Sequence, residues 1–254
     1  MIRLLLSGLR IHFLLLSRSA SEVVAITIWP ILYATIAYYM FGAESDPHVL
    51  LTASLGATVM AIWSSVAFSA GGAIEIQRRL GTLELLVAAP VPFGAVLAPI
   101  TIATSAIGVY ALAATLLWGR LLFAIPLHFE HPVLFALSLP VAIVAIGMLG
   151  LLLASTLIYY RAALFLGASF DYPVWLVTGL LVPLSVLPGW VAPISWLLAP
   201  TWGMRAIRES TIGGSPLSAV AMCLALSACY AAIAVVCLRM FERLARERAT
   251  LALA

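Results

Sequence analysis

The chain of 254 residues contains no lysine and no asparagine, and all thirteen of its basic side chains are arginine. Codon bias in a GC-rich genome accounts for both absences. Without lysine there is no Schiff-base chemistry and no phosphate-binding loop of the G-x-x-x-x-G-K-[ST] type. Without asparagine there is no N-x-S/T glycosylation acceptor. Charge of either sign is scarce. Only 9% of the residues are charged, against about 25% in ordinary soluble domains. Hydrophobic residues make up 64%, with a mean hydropathy of +1.15. So little charge cannot clothe a soluble globule of this length. A disordered chain would need the opposite composition. The net charge of +3 is too small to signal nucleic-acid binding. The solvent for most of the surface must be lipid.

Cysteine is limited to Cys223, Cys229 and Cys237, all in one apolar stretch. At those spacings in a lipid-embedded helix they hold no metal cluster and are expected to be small core residues.

A bilayer core of about 30 Å needs roughly 20 apolar residues in a helix. Six runs meet that length, near 22–41, 49–73, 93–118, 132–158, 163–187 and 216–238. Pro30, Pro99, Pro140, Pro173 and Pro183 fall within them, and kinks are expected there. The segment 1–21 is not a signal peptide, because Arg10 and His12 interrupt its apolar run and no clear cleavage site follows. Its arginines and serines share one side of a helical wheel, the pattern of an amphipathic helix lying in the membrane interface. His12 falls opposite the arginines and is expected to pack against protein.

Arginine placement sets the orientation. With the N-terminus inside, inner segments hold Arg3, Arg10, Arg18, Arg78, Arg79, Arg161, Arg239, Arg243, Arg246 and Arg248, and outer ones hold Arg120, Arg205 and Arg208. The positive-inside rule therefore puts both termini in the cytoplasm. The fold class is all-α integral membrane protein. It has an N-terminal interfacial helix (1–21), a six-helix transmembrane domain (22–238) and a cytoplasmic tail (239–254).

Two loops exceed simple connection. The inner loop after the second run reads Glu75-Ile-Gln-Arg-Arg-Leu-Gly-Thr-Leu-Glu-Leu-Leu-Val-Ala-Ala-Pro90. Ile76, Leu80, Leu83 and Val87 recur at helical spacing, which predicts an amphipathic surface helix over 75–89. Glu75 and Arg79 stand at i,i+4, and Arg78, Arg79 and Glu84 form a charged face. That face suits either a tidy interfacial turn or the docking of a soluble partner. The loop after the fifth run holds Pro188, Trp190, Pro193, Trp196, Pro200, Trp202, Arg205 and Arg208 before Gly213-Gly214. It is too apolar for water and too rich in proline for one long helix. Short re-entrant helices in the outer leaflet over 188–214 satisfy both constraints.

These loops, in this order, resemble the permease family of ATP-binding-cassette (ABC) type-2 exporters. The resemblance rests on Glu75…Gly81-Thr82-Leu83-Glu84-Leu85-Leu86…Pro90 in the inner loop. In the outer one it rests on Leu187-Pro188-Gly189-Trp190, Pro200-Thr201, and Arg205 or Arg208. It implies two paired permease subunits, homodimeric or heterodimeric, each seating a separate cytoplasmic ATPase on a coupling helix that carries Glu75, Arg78, Arg79, Gly81, Thr82, Leu83 and Glu84. It also implies an outer gate containing Pro188, Trp190, Pro200 and Arg205. This chain would bind no cofactor and catalyse nothing itself; ATP and magnesium would sit on the partner. The location implied is a bacterial inner membrane, and the function efflux of a small hydrophobic or amphipathic drug or natural product.

In such a family the substrate passes between subunits along spans one, two and five. Asp171 is the one acidic side chain placed well within a run, and a carboxylate in lipid is costly enough to be a functional candidate by default. Phe170, Tyr172 and Trp175 beside it could stack on an aromatic or cationic guest. A later start of the fifth span would instead make Asp171 an interfacial cap. A lipid-linked glycan exporter is an alternative within the family. A proton-coupled secondary transporter would show several buried ionisable groups where this chain offers one. A membrane-embedded enzyme lacks its motifs, and His128-Phe-Glu-His131 reads as a wet loop.

Overall fold

In lipid a chain with open backbone groups has one local way to satisfy them, the helix. The computed structural model is helical, without strands, among the residues it describes, which are 2–18, 20–41, 47–79, 81, 85, 94–106, 108–123, 130–160, 162–180 and 187–248. The helices are α1 (Ile2–Arg18), α2 (Ala20–Phe41), α3 (Pro47–Arg79), α4 (Gly94–Ala106), α5 (Gly108–Phe123) and α6 (Pro132–Leu157). They are followed by α7 (Ala163–Ser169), α8 (Asp171–Val177), α9 (Val191–Trp196), α10 (Ala199–Ile212) and α11 (Leu217–Arg248).

Four helical stretches among the described residues are long and apolar enough to cross a membrane: Leu50–Gly72, Gly94–Leu122, Pro132–Leu157 and Leu217–Leu244. The expected first span falls on α2, a helix of 22 residues. The stretch within α3 is 72% buried inside the protein, and that within α11 only 28%. α3 is therefore the central post, and α11 lies at the outer edge of the bundle. Cys223 is buried on α11, but Cys229 is exposed and Cys237 half-buried. The expectation of three core cysteines holds for Cys223 alone, because most of α11 faces outward.

Close approach in the centre depends on residues without side chains. A Cβ at Gly150 on α6 would collide with Val66 of α3, and one at Gly147 would lie 2.6 Å from Ser105 Oγ on α4. Small residues let helix backbones approach where lipid supplies no hydrophobic drive between them. At one end of the bundle, Arg78 on α3 meets the end of α6. At the other, the Glu130 and His131 N–H groups donate to the Thr211 and Ser210 carbonyls of α10.

The expected fifth span is two short helices. α7 ends at Ser169, and α8 begins at Asp171 after a turn at Phe170. Pro173 explains the break, since it has no N–H for the Ser169 carbonyl and its ring crowds that carbonyl. Gly179, at φ 77°, then ends α8 in the left-handed region that glycine adopts freely. Residues 181–186 lie outside the described residues, so the far end of this run is not traced.

The 188–214 segment forms α9 and α10. Gly203 of α10 packs on Ala142 of α6, Ser210 Oγ lies 3.3 Å from Ser138 Oγ, and the end of α10 reaches Glu130. Its start lies deep. The Tyr230 hydroxyl of α11 donates to the Leu197 carbonyl in the α9–α10 turn. Tyr230 is thirteen residues into α11, about 20 Å of helix rise. α10 thus runs from the middle of the bundle out to the Glu130 end. Tyr230→Phe leaves the Leu197 carbonyl without that donor and is expected to cost about 1–3 kcal/mol. A thermal midpoint lowered by several degrees in the purified protein checks this; an unchanged midpoint contradicts the anchoring role.

α1 lies along α4, with Gly8 against Pro99. Burial pushes the His12 imidazole below its ordinary pKa, in keeping with the expectation that it packs on protein. At the C-terminus, α11 continues as helix to Arg248, so much of the expected tail extends the last span.

Candidate functional site

Two groups of residues are brought together, one inside the bundle and one at the Arg78 end. The inner group is built by the short α7. Its Gly167 rests against α3 so closely that a Cβ would lie 2.6 Å from the Ala67 carbonyl oxygen and 3.4 Å from the Gly71 nitrogen. That seat sets the height of the next turn. Asp171, first residue of α8, then accepts a hydrogen bond from Ser64 Oγ at 2.8 Å. Ser64 lies inside the apolar stretch Leu50–Gly72, eight residues short of its end, about 12 Å of helix rise. The carboxylate therefore sits at mid-bundle depth.

A chain of aromatic rings links its helix to α2. Tyr33 of α2 meets Trp175 of α8 edge-on, with centroids 5.2 Å apart. Trp29 stacks on Tyr33 at 5.8 Å, and Tyr172 meets Trp175 edge-on at 5.2 Å. Such offset and edge-to-face pairs are the favoured geometries for rings. Trp175 is buried, whereas Trp29, Phe170 and Tyr172 are exposed. The Trp175 Nε1 is buried without a hydrogen-bond partner. Sequence reasoning named Phe170, Asp171, Tyr172 and Trp175, and missed Trp29, Tyr33 and Ser64. The available signal was Trp29 and Tyr33, one turn apart on an expected path-lining span.

At the Arg78 end, α3 is continuous from Pro47 to Arg79. Glu75, Arg78 and Arg79 are therefore its last turn, not the start of a separate helix. No proline or glycine stands between Gly72 and Arg79 to interrupt it. Gly81, at φ 66°, stops it, with its N–H donating to the Arg78 carbonyl. Thr82, Leu83 and Glu84 lie outside the described residues. Arg79 Nε donates to Glu75 Oε1 at 2.9 Å, the expected i,i+4 pair. Arg78 does not stand free on a docking face. Its Nη1 donates to the Tyr160 carbonyl and its Nη2 to the Ile158 carbonyl, both at 3.0 Å. A cation on the last carbonyls of a helix satisfies groups the helix cannot and complements its dipole. The Tyr159 hydroxyl donates to the Cys237 carbonyl of α11, so the end of α6 is tied on two sides.

The four residues of the expected outer gate are not one cluster. Pro188 and Trp190 are exposed ahead of α9, while Pro200 is buried in the first turn of α10, where a missing N–H costs nothing. Arg205 pairs with Glu209 at 2.7 Å and lies over the Trp202 ring at 5.5 Å. Trp202 in turn donates to the Trp196 carbonyl, which braces α10 against α9. Among the described residues no group of His, Cys, Asp and Glu could hold a metal.

The family model for the ABC-2 type transporter matches residues 51–212, from α3 through α10, which contains the Arg78 end and, of the inner group, Ser64, Phe170, Asp171, Tyr172 and Trp175 but not Trp29 and Tyr33 of α2. The chain belongs to that family: it is a multi-pass membrane protein and the permease component of an ABC-2 transporter. No curated protein matches it.

Proposed function

We propose that this chain forms the substrate path of an exporter driven by a separate cytoplasmic ATPase, moving a small hydrophobic or amphipathic drug or natural product out across a bacterial inner membrane. Two permease subunits pair, with both termini cytoplasmic. The ATPase seats on the segment that follows Arg79, and Asp171 with its aromatic neighbours lines the path.

One connection supports this most. The end of α3 at Arg78 grips the end of α6 at Ile158 and Tyr160. Next in the chain come α7 and α8, the second of which begins at Asp171. A push at the end of α3 is thereby delivered to the helices at mid-bundle. Rigid-body movement of the ATPases on closing over nucleotide would supply that push.

Docking is tested at Arg79, whose side chain is 74% exposed, together with Glu84. The double variant Arg79→Glu, Glu84→Arg loses one exposed i,i+4 pair, worth only a few tenths of a kcal/mol. It is expected to keep the wild-type thermal midpoint and to lose co-purification of the ATPase. Full recovery of the ATPase with this variant contradicts the docking role.

A further inference from the structure

We infer that the guest of the Asp171 site is a monovalent organic cation with an aromatic or bulky apolar body. This rests on the reading of that site as the substrate path. The first observation is an uncompensated charge. A carboxylate at mid-bundle depth demands a partner, and the ion pairs among the described residues, Arg79–Glu75 and Arg205–Glu209, lie elsewhere. What Asp171 does have is Ser64, whose single hydroxyl proton is shared between Asp171 Oδ1 at 2.8 Å and the Met60 carbonyl at 2.9 Å. Ser64 orients the carboxylate without neutralising it.

The second observation is the form of the rings. Tyr33 and the buried Trp175 are the inner members of the chain of contacts, and they brace the exposed Trp29 and Tyr172. Exposed aromatic faces beside a fixed negative charge attract a cation twice, through the carboxylate and through the ring quadrupoles. They also offer apolar contact to the rest of the guest. A neutral guest gains only the second part, and an anion is repelled by the carboxylate and by the ring faces. The four rings come from two helices that share no sequence neighbourhood, and Asp171 opens one of them.

The probe is tetraphenylphosphonium, with tetraphenylborate as an anion of matching size and shape. Binding is measured on the full-length permease in nanodiscs, with empty nanodiscs subtracted. Wild type is expected to bind the cation about tenfold or more tightly than the anion, and Asp171→Asn to weaken cation binding about tenfold or more. Asp171→Glu is expected to retain part of it, and Trp29→Ala to weaken it several-fold. Equal affinity for the two ions, binding of neither, or cation affinity unchanged in Asp171→Asn overturns the inference. Should Asp171→Asn fail to fold, the two-ion comparison on wild type and the exposed Trp29→Ala variant decide the matter. Wild-type transport driven by ATP, but blind to charge, would cost only this assignment and leave the exporter reading intact.

Discussion

Replacing Arg78 by glutamine is expected to abolish most ATP-driven transport while leaving a helical chain in the membrane. The guanidinium serves two carbonyls at once, those of Ile158 and Tyr160, with a planar fork that glutamine cannot reproduce. Loss of these charge-assisted bonds at a partly exposed site is worth on the order of 2 kcal/mol. That is enough to lower the thermal midpoint by several degrees but not to unfold the bundle. The functional cost is larger because α7 and α8 follow α6 in the chain. Once its end is unlatched from α3, movement of α3 reaches Asp171 only through the Gly167 seat and Ser64, and the α6 end of the segment no longer follows it. ATP hydrolysis by the partner would continue at its unstimulated rate, decoupled from substrate. Arg78→Lys, which keeps the charge but not the fork, is expected to fall between the two. Wild-type transport by Arg78→Gln would remove Arg78 from the mechanism.

The second large effect is expected at Gly167. Valine there places a Cβ against the Ala67 carbonyl and the backbone of Gly71. These are backbone atoms that cannot rotate aside. Overpacking of this kind costs about 1–3 kcal/mol, and the relief available is to lift α7 away from α3. The lift carries Asp171 off Ser64 and Trp175 off Tyr33. Gly167→Val should therefore lose tetraphenylphosphonium binding as severely as Asp171→Asn, though no residue of the site has changed. Gly167→Ala, with the same Cβ and nothing beyond it, should show a smaller loss. Undiminished binding by the valine variant would mean that the seat of α7 does not set the site.

Local features were legible in the sequence for physical reasons. The Glu75–Arg79 pair follows from helical spacing alone, and it stands at 2.9 Å. The break from α9 to α10 was legible in the prolines of that segment, Pro188, Pro193 and Pro200, the last of which opens α10. Pro173 was legible only as a kink. Pro99 and Pro140 lie inside continuous helices, so a proline alone does not announce a full break. The grip of Arg78 on α6 was not legible, because its partners lie 80 and 82 residues further along, beyond any local pattern. Ser64 lies 107 residues from Asp171. Nothing in the run around Ser64 marks it apart from other serines that bond their own helix, and the pairing exists only because Gly167 sets the register of α7 on α3. The candidate carboxylate could be picked from composition. Its depth, and the rings from α2 that complete its surroundings, required tertiary contacts.

The account stands on ATP as the energy source and this chain as the path. The most direct measurement uses proteoliposomes holding the permease with the soluble ATPase that co-purifies with it. Uptake of tetraphenylphosphonium is followed with ATP and a protonophore present, and again with an imposed proton gradient and no ATP. The account predicts uptake in the first condition, its loss when the ATPase is left out, and none in the second. Uptake on the proton gradient alone, without ATP, would contradict it.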